Sequence, residues 1–232
     1  MGGGNPANII NVIDMLKASE GNTKYKVYAL VAPAIGSQMI YAKLGQVITG
    51  IKELGFYTVV EAALGADMVA HAESRELAEK GFLTSSCCPV FVRYVKTVFP
   101  ALAPYISHNL SPMATIAKYI KEHEENVKIV FIGPCTAKKA EVQLDEGLKE
   151  QKLDDFQLKA CACDGIEECR MALPKKSKNA LDANFIEGMA CVNGCIGGAG
   201  TLTHGEKNKA AVDKYGHEAL EKTIKDAIAF LN

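Results

Sequence analysis

Cysteine is the residue type here whose spacing can do chemistry. The chain holds eight, and they are grouped: Cys87-Cys88, Cys135, Cys161-x-Cys163 with Cys169, and Cys191-x3-Cys195. Thiolates ligate metals and exchange protons and electrons, and in a reducing compartment clustered cysteines point to metal or redox chemistry more than to disulfides. Adjacent cysteines face different sides of an extended chain, so the pair in "TSSCCPVF" (84–91) implies two separate jobs.

Four cysteines suit either a structural zinc or an iron–sulfur cluster, and buried inert thiols are the plain alternative. Zinc sites usually draw on two close pairs of ligands, whereas only Cys191 and Cys195 form such a pair here. Glycines at 194, 197, 198 and 200 let backbone approach a bulky centre. These points favour a cluster.

The elements that must position these thiols alternate. Residues 24–32, "KYKVYALVA", read as a buried strand ended by Pro33. Ile40, Leu44, Val47, Ile51 and Leu54 follow at helical spacing up to Gly55. A second strand is expected at 56–64, a helix at 67–80 ending at Gly81, and a short strand at 82–86. Next come a helix after Pro89, a loop from Pro100 to Pro104, and a helix from Pro112 to about Glu124. "VKIVFIG" (127–133) is the clearest strand, terminated by Pro134-Cys135. Residues 156–163 read as a strand, then a short helix and a basic loop at 174–179. Residues 185–191 read as extended, running into the glycine-rich "VNGCIGGAG", and a last helix places Leu220, Ile224, Ala227, Ile228 and Leu231 on one face.

Strands alternating with helices predict an α/β fold with mainly parallel strands and flanking helices. Ligands in such folds bind beyond the carboxyl ends of strands. Cys88, Cys135 and the Cys191/Cys195 pair each follow an apolar strand-like run. Three separated segments thus deliver four thiolates to one place.

Composition is that of a globular protein: 48% hydrophobic and 23% charged in 232 residues. A net charge of −1 gives no electrostatic footprint for nucleic acid. No apolar run approaches the roughly 20 residues of a membrane helix. Met1 to Pro6 shows no basic segment followed by an apolar one, so a cytoplasmic location and no membrane insertion are expected.

Three segments resemble the three cysteine signatures of the [FeFe]-hydrogenase catalytic domain. "TSSCCP" (84–89) resembles T-S-C-C-P, "GPCTAKKAE" (133–141) resembles [MP]-P-C-x-x-K-x-x-E, and "EGMACVNGCIGGAG" (187–200) resembles E-x-M-x-C-x-x-G-C-x-x-G-x-G. They occur in the family's order, and the similarity reaches "VAPAI" (31–35) and "SPM" (111–113). The resemblance implies a single H-cluster domain over 1–232, with two lobes divided near 105 and the cluster in the cleft between them.

It further implies that Cys88, Cys135, Cys191 and Cys195 hold a [4Fe–4S] cubane. Cys195 would bridge to a diiron unit with CO, cyanide and dithiolate ligands. Lys138 matches the lysine that hydrogen-bonds a cyanide, Met189 the methionine beside the diiron unit, and Ala32 and Pro33 the backbone lining it. Cys87 then becomes the thiol that passes protons, its pKa tunable towards neutrality. Glu73, Glu76 and Ser107 match the family's outward relay; without the family, Glu73, Glu76 and Lys80 read as a solvated helix face with an i,i+4 pair.

The chain departs from the pattern at Gly133, where the family usually has Met, which removes bulk from the diiron pocket. It departs again at Val90-Phe91 in place of Gly-Trp, at Met113 in place of Gln, and at Ala199, Thr201 and Leu202 in the glycine loop. Cys161, Cys163 and Cys169 match no family ligand and read as structural thiols. No ferredoxin-like cysteine run precedes residue 87. The implied partners are therefore a ferredoxin-like electron carrier, the hydrogenase maturation proteins, and an additional subunit if accessory clusters are used. Lys175, Lys176 and Lys178 offer a basic loop for an acidic carrier, or simply a solvated one. The leading expectation is H2 turnover. An H2 sensor and a non-catalytic iron–sulfur protein are the competing readings.

Overall fold

The computed structural model describes residues 6–141 and 157–217. The apolar run "KVYALV" forms β1 (Lys26–Val31), buried along nearly its whole length as a central parallel strand must be. It pairs in parallel with β2 (Thr58–Glu61) on one side and β4 (Val127–Ile132) on the other, Tyr28 lying opposite Thr58 and Ile129. A second three-stranded parallel sheet has the order β3 (Leu83–Thr84), β6 (Phe185–Met189), β5 (Ala160–Asp164). Thr84 also bridges to Ile106 outside the named strands.

Helices flank both sheets: α1 (Pro6–Ala18), α2 (Ile35–Gln38), α3 (Leu44–Glu53), α4 (Ala62–Lys80), α5 (Pro89–Val98), α6 (Pro112–His123), α7 (Lys138–Glu141), α8 (Ile166–Ser177) and α9 (Lys207–His217). Gly81 ends α4 in the left-handed region (φ 70°), its N–H bonding the Leu77 carbonyl at 2.8 Å. Pro89 opens α5 where a missing N–H costs nothing, and Ser111 caps α6. Helices α4 and α6 cross closely at Gly65, where a Cβ would lie 2.1 Å from the Pro112 carbonyl oxygen. One core joins Tyr28, Leu30, Met113 and Ile116 of the first sheet's outer layer. Another joins Phe91, Val95, Leu173 and Ile186 around the second sheet.

The α/β class with parallel strands and flanking helices is as expected. Position 105 is no divide between the sheets, because each takes strands from both sides of it: β4 pairs with β1, and β6 with β3. Several boundaries differ from the pattern-based reading. Strand β2 stops at Glu61, because the alanine-rich "AAL" starts α4 instead of extending the strand. The expected loop at 100–104 is a 3-10 helix over Pro100–Tyr105. The expected basic loop at 174–179 lies largely within α8, which continues through Pro174 to Ser177. Pro174 forfeits one helical hydrogen bond, but Cys169, Ala172 and Leu173 are buried in the core and hold the helix in place. Helices α1 and α9 lie in stretches where no element was assigned. The expected terminal helix over Leu220 to Leu231 lies outside the described residues.

Candidate metal centre

Each cysteine of interest sits just past the carboxyl end of a strand. Cys88 follows β3 and is the N-cap of α5, Cys135 follows β4, and Cys191 and Cys195 follow β6. The first sheet thus supplies one thiol and the second supplies three. The loop from Cys191 to Cys195 is turned by Asn193 (φ 63°) and Gly194 (φ 58°), both left-handed. The Gly194 N–H bonds the Cys191 carbonyl at 3.0 Å and Asp164 Oδ1, from the end of β5, at 2.9 Å. Beyond it the chain returns against the segment after β4: Gly200 N–H meets the Pro134 carbonyl at 2.8 Å. A Cβ at Gly197 would lie 1.9 Å from the Val192 carbonyl oxygen, so the coil closes only with glycine there.

Cys88 and Cys135 lie close enough to Cys191 and Cys195 to raise the pKa of both. The surrounding protein pushes the Cys195 thiol up to about 11, with Cys135 and Cys88 adding and Lys138 opposing. Burial raises Cys191, and Cys135 and Cys88 add to it. Cys195 is nevertheless accessible to solvent. Protein therefore surrounds the Cys195 thiol while solvent still reaches the residue at this strand-end region, here called the recess. Among the described residues no three His, Cys, Asp or Glu side chains converge tightly enough to hold a single metal ion. Four thiolate donors from three separated segments suit a multi-iron cubane. The donor set therefore fits a [4Fe–4S] cluster.

Lys138 joins the two sheets at this point. It is buried, its Nζ donating to the Cys87 carbonyl at 3.2 Å and to Glu141 Oε2 at 2.8 Å. A buried ammonium beside Cys87 and Cys195, held by a carboxylate, is a ready donor to an anionic ligand. Thr84 Oγ1 and Ser86 Oγ are buried and have no hydrogen-bond partner among the described residues. Such orphaned hydroxyls, both just ahead of the cysteine pair in the chain, leave polar capacity for a further group.

Ala32 is buried at the end of β1, where its N–H bonds the Ile132 carbonyl at 2.9 Å. The carbonyls of Ala32 and Pro33 are taken up in the turn into α2, by Ile35 N–H and Gly36 N–H. Gly133 does not leave the space its small size suggested. A Cβ there would lie 2.6 Å from Phe131 Cε1 and 3.1 Å from the Ala32 Cβ, so the Phe131 ring fills that side. Phe91 likewise packs over Gly188, where a Cβ would fall 2.2 Å from its ring. Met189, half-buried at the end of β6, accepts at its carbonyl from Gly165 N–H at 3.0 Å and from Cys169 Sγ at 3.7 Å.

Burial pushes the Cys87 thiol up to about 12, a Ser85 hydrogen bond opposing and Glu187 and Glu73 adding to the rise. The surroundings thus move this thiol away from neutrality, the reverse of the sequence-based expectation, and keep it protonated. Glu73 is raised to about 7, first by burial, with Ser107 and the Ser86 N–H (3.4 Å) stabilising its charge. Glu76 is no part of a solvated face. It is buried and ringed by Lys80 Nζ at 2.7 Å, His108 N–H at 3.0 Å and Asn109 Nδ2 at 3.0 Å. Asn109 Nδ2 also donates to Ser107 Oγ at 3.0 Å. Glu73, Ser107, Asn109 and Glu76 therefore form a continuous polar line from the cysteine pair to the surface.

Sequence reasoning passed over Glu141, His108, Asn109 and Asp164. Glu141 was signalled by its i,i+3 spacing from Lys138. The other three act through tertiary contacts that no local spacing announces. Cys163 and Cys169 hydrogen-bond each other within the core, which pushes the Cys163 thiol up and the Cys169 thiol down. Lys176 is packed, donating to the Ala183 carbonyl at 2.6 Å and lying 4.4 Å over the Phe82 ring; Lys175 and Lys178 are exposed. A separate cavity of about 420 Å³ opens between α2, α3 and α9, and no cysteine lines it. No described helix is long and apolar enough to cross a membrane.

The family model for the iron-only hydrogenase large subunit, C-terminal domain, matches residues 25–154 and 144–199. The chain is 31% identical to iron hydrogenase 1 of Clostridium pasteurianum over 111 residues, 42% of this chain and 19% of that protein. It is 28% identical to the periplasmic [Fe] hydrogenase large subunit of Nitratidesulfovibrio vulgaris over 142 residues, 51% of this chain and 34% of the relative. It is also 29% identical over 119 residues to the cytosolic Fe-S cluster assembly factor NAR1 of Eremothecium gossypii, 47% of this chain and 26% of that one. These matches span 19%, 34% and 26% of the relatives' own lengths. A variant of the [FeFe]-hydrogenase HydA1 from Chlamydomonas reinhardtii shares the fold at TM-score 0.77 and 16% identity, over 97% of this chain and 93% of that one.

Proposed function

The chain belongs to the iron-only hydrogenase large-subunit family, C-terminal domain, and from that membership we propose that it is an [FeFe]-hydrogenase interconverting two protons and two electrons with H2. The observation that supports this most is the convergence at Lys138. Its ammonium reaches the Cys87 carbonyl from the first sheet and weighs on Cys195 in the third signature. A site for cubane alone needs four thiols and no buried cation.

In this reading Cys88, Cys135, Cys191 and Cys195 hold the cubane, and Lys138, Met189, Ala32 and Pro33 line the diiron side. When bound, the H-cluster supplies the redox and hydrogen-binding chemistry. The chain's own residues bind it and move protons. Cys87 keeps its proton at Sγ and presents it at the recess. Ser107 donates to Glu73, which titrates near neutrality and so exchanges protons in either direction. Glu76 holds the outer end of the line. Electrons arrive from a ferredoxin-like carrier or a partner subunit, in the cytoplasm, and maturation proteins supply the diiron unit.

The likeness to NAR1 carries a second reading, a non-catalytic iron–sulfur protein. One experiment separates the two: anaerobic reconstitution, loading with a synthetic diiron cofactor, then H2 evolution from a reduced viologen. Sustained H2 evolution supports the hydrogenase. Cubane absorption with no CO or cyanide infrared bands after loading supports the second reading.

A further inference from the structure

The polar line that starts at the cysteine pair does not stop at Glu76. His108 lies on the loop between the 3-10 turn and α6, its side chain 78% exposed, with Nδ1 3.3 Å from Glu76 Oε1. Its own N–H donates to Glu76 Oε2 at 3.0 Å, so the loop backbone fixes the imidazole over the carboxylate. The same Nδ1 lies 3.5 Å from Lys80 Nζ. Among the described residues the charged groups recorded against the imidazole are these two, Glu76 and Lys80, both on α4.

From this geometry we infer that His108 is the proton-entry residue of this chain, taking protons from solvent at Nε2 and passing them from Nδ1 to Glu76. The inference rests on the hydrogenase reading. A buried carboxylate exchanges slowly with bulk acid because the proton must arrive through low-dielectric surroundings. Imidazole removes that barrier, because its two nitrogens accept on one side and release on the other, and its ordinary titration range spans neutrality. Each transfer balances: hydronium or buffer acid protonates Nε2, Nδ1 gives its proton to Glu76 Oε1, and the neutral ring remains. Exchange of the Nε2 hydrogen with solvent, to which the 78% exposed ring is open, returns the ring to its Nδ1–H form for the next proton, and Lys80 marks the resting geometry. In the neutral ring with hydrogen on Nε2, Nδ1 accepts from the ammonium; in the charged ring it donates to Glu76. Asn109 donates both amide hydrogens and takes no proton, so it positions Ser107 and Glu76 and does not conduct.

The test uses the full chain with its cluster loaded, monitored by infrared spectroscopy. His108→Ala is expected to keep the CO and cyanide bands and to lower H2 evolution about three- to tenfold at low buffer concentration. Added imidazole should restore most of the rate. A readout independent of turnover is the ¹⁵N resonance of Nδ1 in histidine-labelled protein, expected to move in Glu76→Gln. Wild-type rates in His108→Ala at every buffer concentration overturn the inference, as does an Nδ1 resonance indifferent to Glu76→Gln. If the wild type shows intact bands but no turnover, the hydrogenase reading itself fails and the proton-entry role falls with it; that result is distinguishable from a defect confined to the variant.

Discussion

Cys87 and Cys88 differ by one position and by everything around them. Cys88 lies near enough to Cys191 and Cys195 to raise the pKa of both, while Cys87, half-buried, sits beside Ser85, Glu73 and Glu187. Cys88→Ala should lower the iron content and the cubane absorption. Cys87→Ala should leave both intact and reduce H2 turnover by about two orders of magnitude or more, the scale of a lost general acid. Iron analysis beside a turnover assay checks the pair, and identical effects would contradict the division of roles. Glu73 supports a second prediction. Its pKa is raised to about 7 from 4.5, so the folded state holds its proton more tightly than the unfolded chain does. That contribution is fully present below about pH 4.5 and is lost as pH rises through about 7. Wild-type protein should therefore lose on the order of 2 kcal/mol between about pH 5 and 8 relative to Glu73→Gln, which removes the titration. Thermal midpoints of both proteins across that range measure it; parallel curves would contradict it.

At the scale of elements, the loop from Asn193 to Gly200 matters more than the strands it leaves. Gly194 sits at φ 58° with its N–H committed to Cys191 and Asp164. Gly194→Ala should cost about 1–2 kcal/mol through left-handed strain, and Gly194→Asn less. Both should appear as faster cluster loss to an iron chelator, ranked Ala before Asn; equal loss rates would show that the turn does not set the ligand geometry. The strands and their order of polarity were legible in the sequence, because buried runs such as "KVYALV" and "VKIVFI" bounded by proline are strong local signals. The strand-end positions of Cys88, Cys135, Cys191 and Cys195 were legible for the same reason, each following such a run; their role as cluster ligands is a proposal. Helix α8 was misjudged because Pro174 is a local breaker, while Leu173 and Cys169 anchor the helix through tertiary burial. The pocket expected at Gly133 was misjudged because Phe131, two residues earlier in the chain, fills it. His108 and Asn109 carried no local signal, since their roles exist only against α4.

Across the whole molecule, Cys135 of the first sheet is brought close to Cys191 and Cys195 of the second at the strands' carboxyl ends, and Lys138 reaches across to the Cys87 carbonyl; the proposed site rests on that arrangement. The surface carries little net charge, so carrier docking falls to local patches. Lys175 and Lys178 are the exposed members of the basic run, with Lys176 packed on Phe82. Replacing both exposed lysines by Ala should lower the ferredoxin-driven rate about two- to tenfold at low salt and leave the viologen-driven rate unchanged. An unchanged salt dependence would move the docking face elsewhere. The central claim concerns the joint action of the recess and the polar line, and isotope exchange reads both at once. Protein loaded with cubane and diiron unit, showing its CO and cyanide bands, is placed under H2 in D2O and the headspace followed by mass spectrometry. The account predicts continuous release of HD and D2, suppressed in Cys87→Ala. Loaded wild-type protein that releases neither would contradict it.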